Sequence, residues 1–253
     1  MALLVGTLRR FFALANTDIK YIYCFADNYS YLDMATNCKV ALLLLLLVVG
    51  VLSEDYTKVI PDLDPEARCL DGSPGYLYYH EGGDTKNIML YFVGGGLCTG
   101  YDTNSALKAC YDRSKTNLGT STKWPAKYNA DKNGIVSTDP TKNKFANWTK
   151  IIFGYCDGSL HQGYNKNPIS YQDSKLYFRG TRNTEQNIKW AHQKYNLTQA
   201  DRILVTGSSA GGMATYLWTD HVRGLVPDPS KVYGVADSSI YYLAFVGQKW
   251  HTR

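Results

Sequence analysis

The sequence contains no internal repeat, no block of basic residues and no nucleic-acid-binding motif. The first absence excludes solenoid and propeller architectures. The other two make the net charge of +5, which is spread along the chain, an ordinary solvated surface rather than a nucleic-acid contact. No pattern implies a metal or an organic cofactor. No stable membrane anchor is expected either: the apolar run Val40–Leu52 would extend about 20 Å as a helix, against a hydrocarbon core of about 30 Å.

What remains is an ordinary globular composition. The chain has 253 residues, of which 45% are apolar and 19% charged, enough for one domain with a sizeable core. Tyrosine is abundant, at 21 residues. Its rings can form sugar-binding platforms, but a Tyr-rich core accounts for them as well.

Lys39 precedes the Val40–Leu52 run, and polar residues follow it, with Val51 and Ser53 suited to the −3 and −1 positions of a cleavage site. This is the form of a secretory signal peptide over residues 34–53. The expected organisation makes Met34 the natural start and residues 1–33 an upstream over-extension. The alternative makes 1–33 a real extension and Val40–Leu52 a signal anchor in the membrane. Residues 54–253 would be the mature part, in an extracellular or endomembrane compartment. Four of the six cysteines lie there, Cys69, Cys98, Cys110 and Cys156. An even number in a secreted chain implies two disulfides, with three possible pairings. Asn147-Trp-Thr and Asn196-Leu-Thr are glycosylation sequons.

Strand-like runs occur at Tyr76–Tyr79 and Asn87–Val93, and Glu81-Gly-Gly-Asp84 between them reads as a hairpin turn. Residues 99–148 are polar and read as a long surface excursion with little regular structure. Strands at Lys150–Tyr155, Arg202–Thr206 and Val232–Ala236 then alternate with helices at Thr184–Tyr195 and Met213–Arg223. This order predicts βαβ units: an α/β fold with a mostly parallel, doubly wound sheet. Ligands in such sheets bind at the carboxyl ends of the strands.

Two glycine-rich turns leave strands at those ends. Gly207-Ser-Ser-Ala-Gly-Gly212 is G-x-S-x-G between a strand and a helix. A serine hydroxyl needs a base to become a nucleophile, and a sharp elbow would lift Ser209 above the sheet where a base can reach it. A structural glycine-serine turn is the plainer alternative. Gly94-Gly95-Gly96 ends an earlier strand. Ester hydrolysis needs N–H donors aimed at the developing oxyanion. Ala210, after the nucleophile, and Gly95 with Gly96 fit that role.

Six segments in order carry a family resemblance: Cys69-Leu-Asp-Gly-Ser-Pro-Gly75, Gly94-Gly-Gly-Leu-Cys98, Tyr155-Cys-Asp-Gly158, Leu176-Tyr-Phe-Arg-Gly180, Gly207-Ser-Ser-Ala-Gly-Gly212 and Ala236-Asp-Ser238. Together they resemble the pectin acetylesterase/Notum family, with Leu176–Gly180 closer to the pectin acetylesterase branch. The resemblance implies an α/β-hydrolase-like fold and a secreted serine esterase. Its substrate would be an acetylated polysaccharide such as pectin, or a lipid ester as in Notum-like members. Family-like positions imply the pairings Cys98–Cys110 and Cys69–Cys156. Val93 and Leu97 stand where the family has Glu and Trp, which alters the wall around the glycines.

The resemblance also implies a triad Asp and His far downstream of the serine, whereas this sequence continues for 44 residues past Ser209. Asp237 resembles a structural aspartate of the family, His221 falls on the helix after the elbow, and His251 lies near the end. The expectation is therefore a serine esterase whose C-terminal part, with the triad Asp and His, is missing, which leaves the activity of this chain open. The competing reading is a truncated relative that binds a glycan or lipid without turnover.

Overall fold

A computed structural model describes residues 56–129 and 134–239. The proposed signal segment and His251 lie outside the described residues. In chain order the strands are β1 (Tyr56–Val59), β2 (Leu77–His80), β3 (Asp84–Phe92), β4 (Lys127–Tyr128), β5 (Trp148–Phe153), β6 (Ile169–Tyr171), β7 (Ser174–Leu176), β8 (Arg202–Ser208) and β9 (Val232–Asp237). The helices are α1 (Thr103–Ser114), α2 (Gly180–Tyr195) and α3 (Ala210–Arg223).

Seven strands form one sheet in the order β4-β1-β2-β5-β3-β8-β9. The block β5-β3-β8-β9 is parallel, and β4, β1 and β2 extend it antiparallel. The fold is α/β-hydrolase-like, and the carboxyl ends of β3, β5, β8 and β9 share one edge.

Buried on both faces, the central strands lose the alternation of a half-exposed strand and read as continuous apolar runs. Ile88, Leu90 and Phe92 of β3 join Ile151, Phe153, Ile203 and Val205 on one face. Helices α2 and α3 cover that face. Ile188 and Ala191 of α2, and Ala214, Trp218 and Val222 of α3, recur at helical spacing and pack there. Met89, Ile152 and Leu204 point the other way, onto a second cluster with Tyr56, Tyr76, Tyr78 and Val136.

Two sequence expectations are corrected. Glu81-Gly-Gly-Asp84 is not a hairpin turn, because β5 lies between β2 and β3 and pairs with both. Local alternation cannot reveal a strand that inserts from 70 residues away. Nor are residues 99–148 without regular structure, since α1 opens the segment. Asp102 caps this helix reciprocally with Ser105, Asp102 Oδ1 accepting from Ser105 N at 2.7 Å and Asp102 N donating to Ser105 Oγ at 3.1 Å. The inward face of the helix is short, with Leu107, Cys110 and Tyr111 packing toward Leu70 and Leu176, and polar residues on either side hid the periodicity.

Candidate active site

Strand β8 turns into α3 at a single residue. Ser209 has φ 56° and ψ −119°. A side chain at positive φ costs on the order of 1–3 kcal/mol and persists only where the surroundings enforce it. Here they do. The Ser209 N–H donates to Asp237 O at 3.0 Å. The Ser239 hydroxyl lies 2.6 Å from Ser209 O and 2.7 Å from Asp237 O. The glycines around Ser209 leave no room for side chains. A Cβ on Gly207 would lie 2.6 Å from Phe92 O, one on Gly211 2.0 Å from the same atom, and one on Gly212 1.8 Å from Ser239 Oγ.

The loop after β3 lies against this elbow. A Cβ on Gly94 would stand 2.4 Å from Ser208 O and 3.2 Å from Ser209 Cβ. Gly95 and Gly96 have φ of 150° and 67°, within the range that favours glycine. The N–H groups of Gly95, Gly96 and Ala210 meet no protein acceptor among the described residues. Three carbonyls of this stretch, by contrast, are held. His161 Nε2 donates to Val93 O at 2.9 Å, Arg113 Nη1 to Gly95 O at 2.8 Å, and the Tyr155 hydroxyl to Gly96 O at 2.5 Å.

These three side chains also contact one another. His161 stacks on Tyr155 with ring centroids 4.5 Å apart, and the Arg113 guanidinium lies 4.9 Å over the same ring. His161 is buried, and burial pushes its imidazole below the ordinary histidine value; the nearby Asp157 carboxylate opposes that shift. Sequence reasoning passed over Arg113 and His161. Arg113 had a signal, because it lies one helical turn after Cys110.

The disulfides are Cys69–Cys156 and Cys98–Cys110. Cys98 lies two residues past Gly96, and Cys156 follows Tyr155. Leu97 is 45% exposed beside the loop. Asn147 and Asn196 are both at the surface. Asp237 meets the elbow through its backbone carbonyl. His221 sits twelve residues along α3 from Ser209, about 18 Å along the axis, and packs edge-on against Trp218. Among the described residues, no side chain hydrogen-bonds Ser209 Oγ, and no group of three His, Cys, Asp or Glu could hold a metal.

A cavity of about 320 Å³ opens on the sheet face away from α2 and α3. Tyr76, Tyr78, Tyr91, Trp124 and Tyr128 line it, and Val93 connects it to the glycine loop.

The sequence profile described as Pectinacetylesterase matches residues 53–248. Pectin acetylesterase 4 of Arabidopsis thaliana is 33% identical over 174 residues, covering 68% of this chain and 40% of its own length. Pectin acetylesterase 11 of the same plant is 30% identical, covering 79% of this chain and 49% of its own length. The palmitoleoyl-protein carboxylesterase NOTUM of Mus musculus is 29% identical, covering 70% and 34%. Among solved structures, the Wnt deacylase Notum from Drosophila matches with a TM-score of 0.57 at 25% identity, covering 67% of this chain and 47% of that one. The chain thus spans less than half the length of these relatives.

Proposed function

The chain belongs to the pectinacetylesterase family, and from that premise we propose that Ser209 is the nucleophile of a carboxylic-ester hydrolase acting on an O-acetylated polysaccharide such as pectin. The observation that carries the reading is the backbone of Ser209: a strained residue at a strand–helix junction, in contact with a glycine loop whose Gly95 and Gly96 N–H groups meet no acceptor among the described residues.

In this reading Ser209 Oγ attacks the acetyl carbonyl while a base takes its proton. The carbonyl oxygen becomes an oxyanion between the N–H groups of Gly95, Gly96 and Ala210. Collapse expels the sugar hydroxyl, which takes a proton from the conjugate acid of the base, and leaves an acetyl-Ser209. Water then attacks this ester and releases acetate. In α/β-hydrolases the base and its orienting acid follow the nucleophile in chain order, and among the described residues none stands in either role. No step requires a metal or an organic cofactor.

Residues 34–53 are proposed as a secretory signal and 54–253 as the secreted portion, carrying glycans at Asn147 and Asn196. Two disulfides fit an oxidising compartment. Among the described residues, no helix is long and apolar enough to cross a membrane.

A second reading, glycan or lipid binding without turnover, is favoured by one observation: Ser209 Oγ has no base beside it among the described residues. Hydrolysis by the full chain of acetylated pectin, and of acetyl and octanoyl nitrophenyl esters, separates the readings. Acetate release that disappears in Ser209→Ala supports the esterase. Preference for the octanoyl ester points to a lipid ester. Binding of pectin without Ser209-dependent release establishes the non-catalytic reading.

A further inference from the structure

We propose that Arg113, Tyr155 and His161 are positioning residues that pre-set the oxyanion loop by gripping its carbonyls from behind. The proposal rests on the esterase reading for its catalytic meaning, but its geometry stands apart from it.

In a trans peptide the C=O and the following N–H point in opposite directions. Holding a carbonyl therefore fixes the orientation of the next amide. Arg113 holds Gly95 O and so aims the N–H of Gly96 away from α1. Tyr155 holds Gly96 O and fixes the N–H of Leu97 in the same way. His161 holds Val93 O and fixes the N–H of Gly94. The Gly95 N–H lies between fixed planes. Three glycines in succession would otherwise leave this loop with wide conformational freedom. An oxyanion hole contributes most when its donors need no reorganisation as charge develops. The Arg113 cation adds a second effect, because a charged donor on Gly95 O polarises that peptide and strengthens its N–H.

The grip is itself anchored. Cys110, one turn before Arg113 on α1, is bonded to Cys98 just past the loop. Tyr155 precedes Cys156, which is bonded to Cys69, and the Tyr155 hydroxyl accepts from Leu160 N at 3.0 Å. The carbonyl of His161 accepts from Thr184 of α2 and from Trp218 of α3, each at 3.1 Å. Helix α3 begins at the nucleophile, so loop and nucleophile share one frame. The fit is close: a Cβ at Gly95 would meet Leu118 at 2.9 Å, Tyr155 at 3.2 Å and Arg113 at 3.4 Å.

The test uses Tyr155→Phe, Arg113→Gln, and Arg113→Lys as the conservative variant, in the full chain labelled with ¹⁵N-glycine. Relaxation order parameters at Gly95 and Gly96 should fall from about 0.85 toward about 0.6 or below in the first two variants, with Gly207 unchanged. Arg113→Lys should restore part of the difference. Where Ser209-dependent hydrolysis is present, kcat should drop about tenfold at constant KM, as expected for groups acting in the transition state. If the parent chain shows no such hydrolysis, the esterase reading fails while the order parameters still decide the grip. Rigid Gly95 and Gly96 in both Tyr155→Phe and Arg113→Gln, or an unchanged kcat in a chain that turns over, overturns the proposal. Tyr155→Phe removes one oxygen and keeps the ring on His161, so its folded state can be compared directly.

Discussion

Gly94 and Ser209 meet across the join between β3 and the elbow, so closely that a Cβ on Gly94 would stand 3.2 Å from the Cβ of Ser209 and 2.4 Å from Ser208 O. The second distance allows no side chain without moving the nucleophile. Gly94→Ala should therefore destabilise the fold by about 1–3 kcal/mol, as overpacking does. It should also weaken any fluorophosphonate labelling of Ser209. Gly96→Ala is the contrasting case. Nothing lies within 4 Å of its Cβ position, and only its φ of 67° opposes the change. It should cost about 1–2 kcal/mol from backbone strain alone. Thermal melts of the two variants check the order: Gly94→Ala should melt lower.

The disulfides differ in the loops they close. Cys69 and Cys156 are 87 residues apart in sequence, Cys98 and Cys110 only 12. In the chain-entropy account these separations correspond to about 4.6 and about 2.8 kcal/mol of restriction on the unfolded chain. Replacing the Cys69–Cys156 pair with serines should thus lower stability by roughly 2 kcal/mol more than replacing Cys98–Cys110. The smaller bridge should matter more to the glycine loop, since it ties Cys98 to the helix that carries Arg113. Denaturant titrations of both double variants, without reductant, measure the first claim. An equal or reversed loss would contradict it.

Much of this arrangement was legible in the sequence because it is local. The elbow needs a buried strand, small residues and a helix in immediate succession, and residues 202–223 provide them. The glycine run after β3 is equally self-contained. Strand order was not legible: β2 and β3 follow one another with two glycines between them, yet β5 separates them. The grip on the loop was hidden for the same reason. Arg113, Tyr155 and His161 come from α1, from the end of β5 and from the loop beyond it, and only tertiary contact brings them to Val93, Gly95 and Gly96. A buried histidine on a polar stretch such as Ser159-Leu-His161 carries no periodic signal.

The two sequons differ in how their asparagines are engaged. Asn196 is exposed at the C-terminus of α2 with φ 48°, and its Oδ1 accepts from the Thr198 hydroxyl at 2.7 Å. Asn147 is exposed too, but its Oδ1 accepts from Gly83 N at 3.1 Å, and a Cβ on Gly82 would lie 2.1 Å from its carbonyl. A glycan at Asn147 must share the crowded edge where the β2–β3 connection meets the start of β5, whereas one at Asn196 projects into solvent. Secretion from a eukaryotic host should give fuller occupancy at Asn196. Asn196→Gln should then remove most of the mass lost on deglycosylation, and Asn147→Gln less. Equal occupancy at both sites by peptide mass spectrometry would refute the distinction.

His161 should make stability depend on pH in a defined direction. The unfolded chain takes up a proton at this ring near pH 6.5, whereas burial holds the folded ring neutral to lower pH. Between those two values the unfolded state binds more protons, so stability falls as pH falls. The stabilisation is complete above about 6.5 and is lost on approach to the depressed folded value. Charged groups near the ring act in both directions: Asp157 favours the imidazolium and Arg113 opposes it, both by less than burial does. Of the packed neighbours, Phe92, Thr184 and Trp218 carry no charge, and Tyr155 stacks its ring on the imidazole. His161→Gln can keep a donor on Val93 O without titrating. At pH 7.5 the wild-type chain should be the more stable, because its ring packs on Tyr155 and Phe92. That advantage in melting temperature should shrink steadily toward pH 5. A difference that stays constant across the range would show that His161 does not titrate against folding, and a growing one would reverse the sign of its shift.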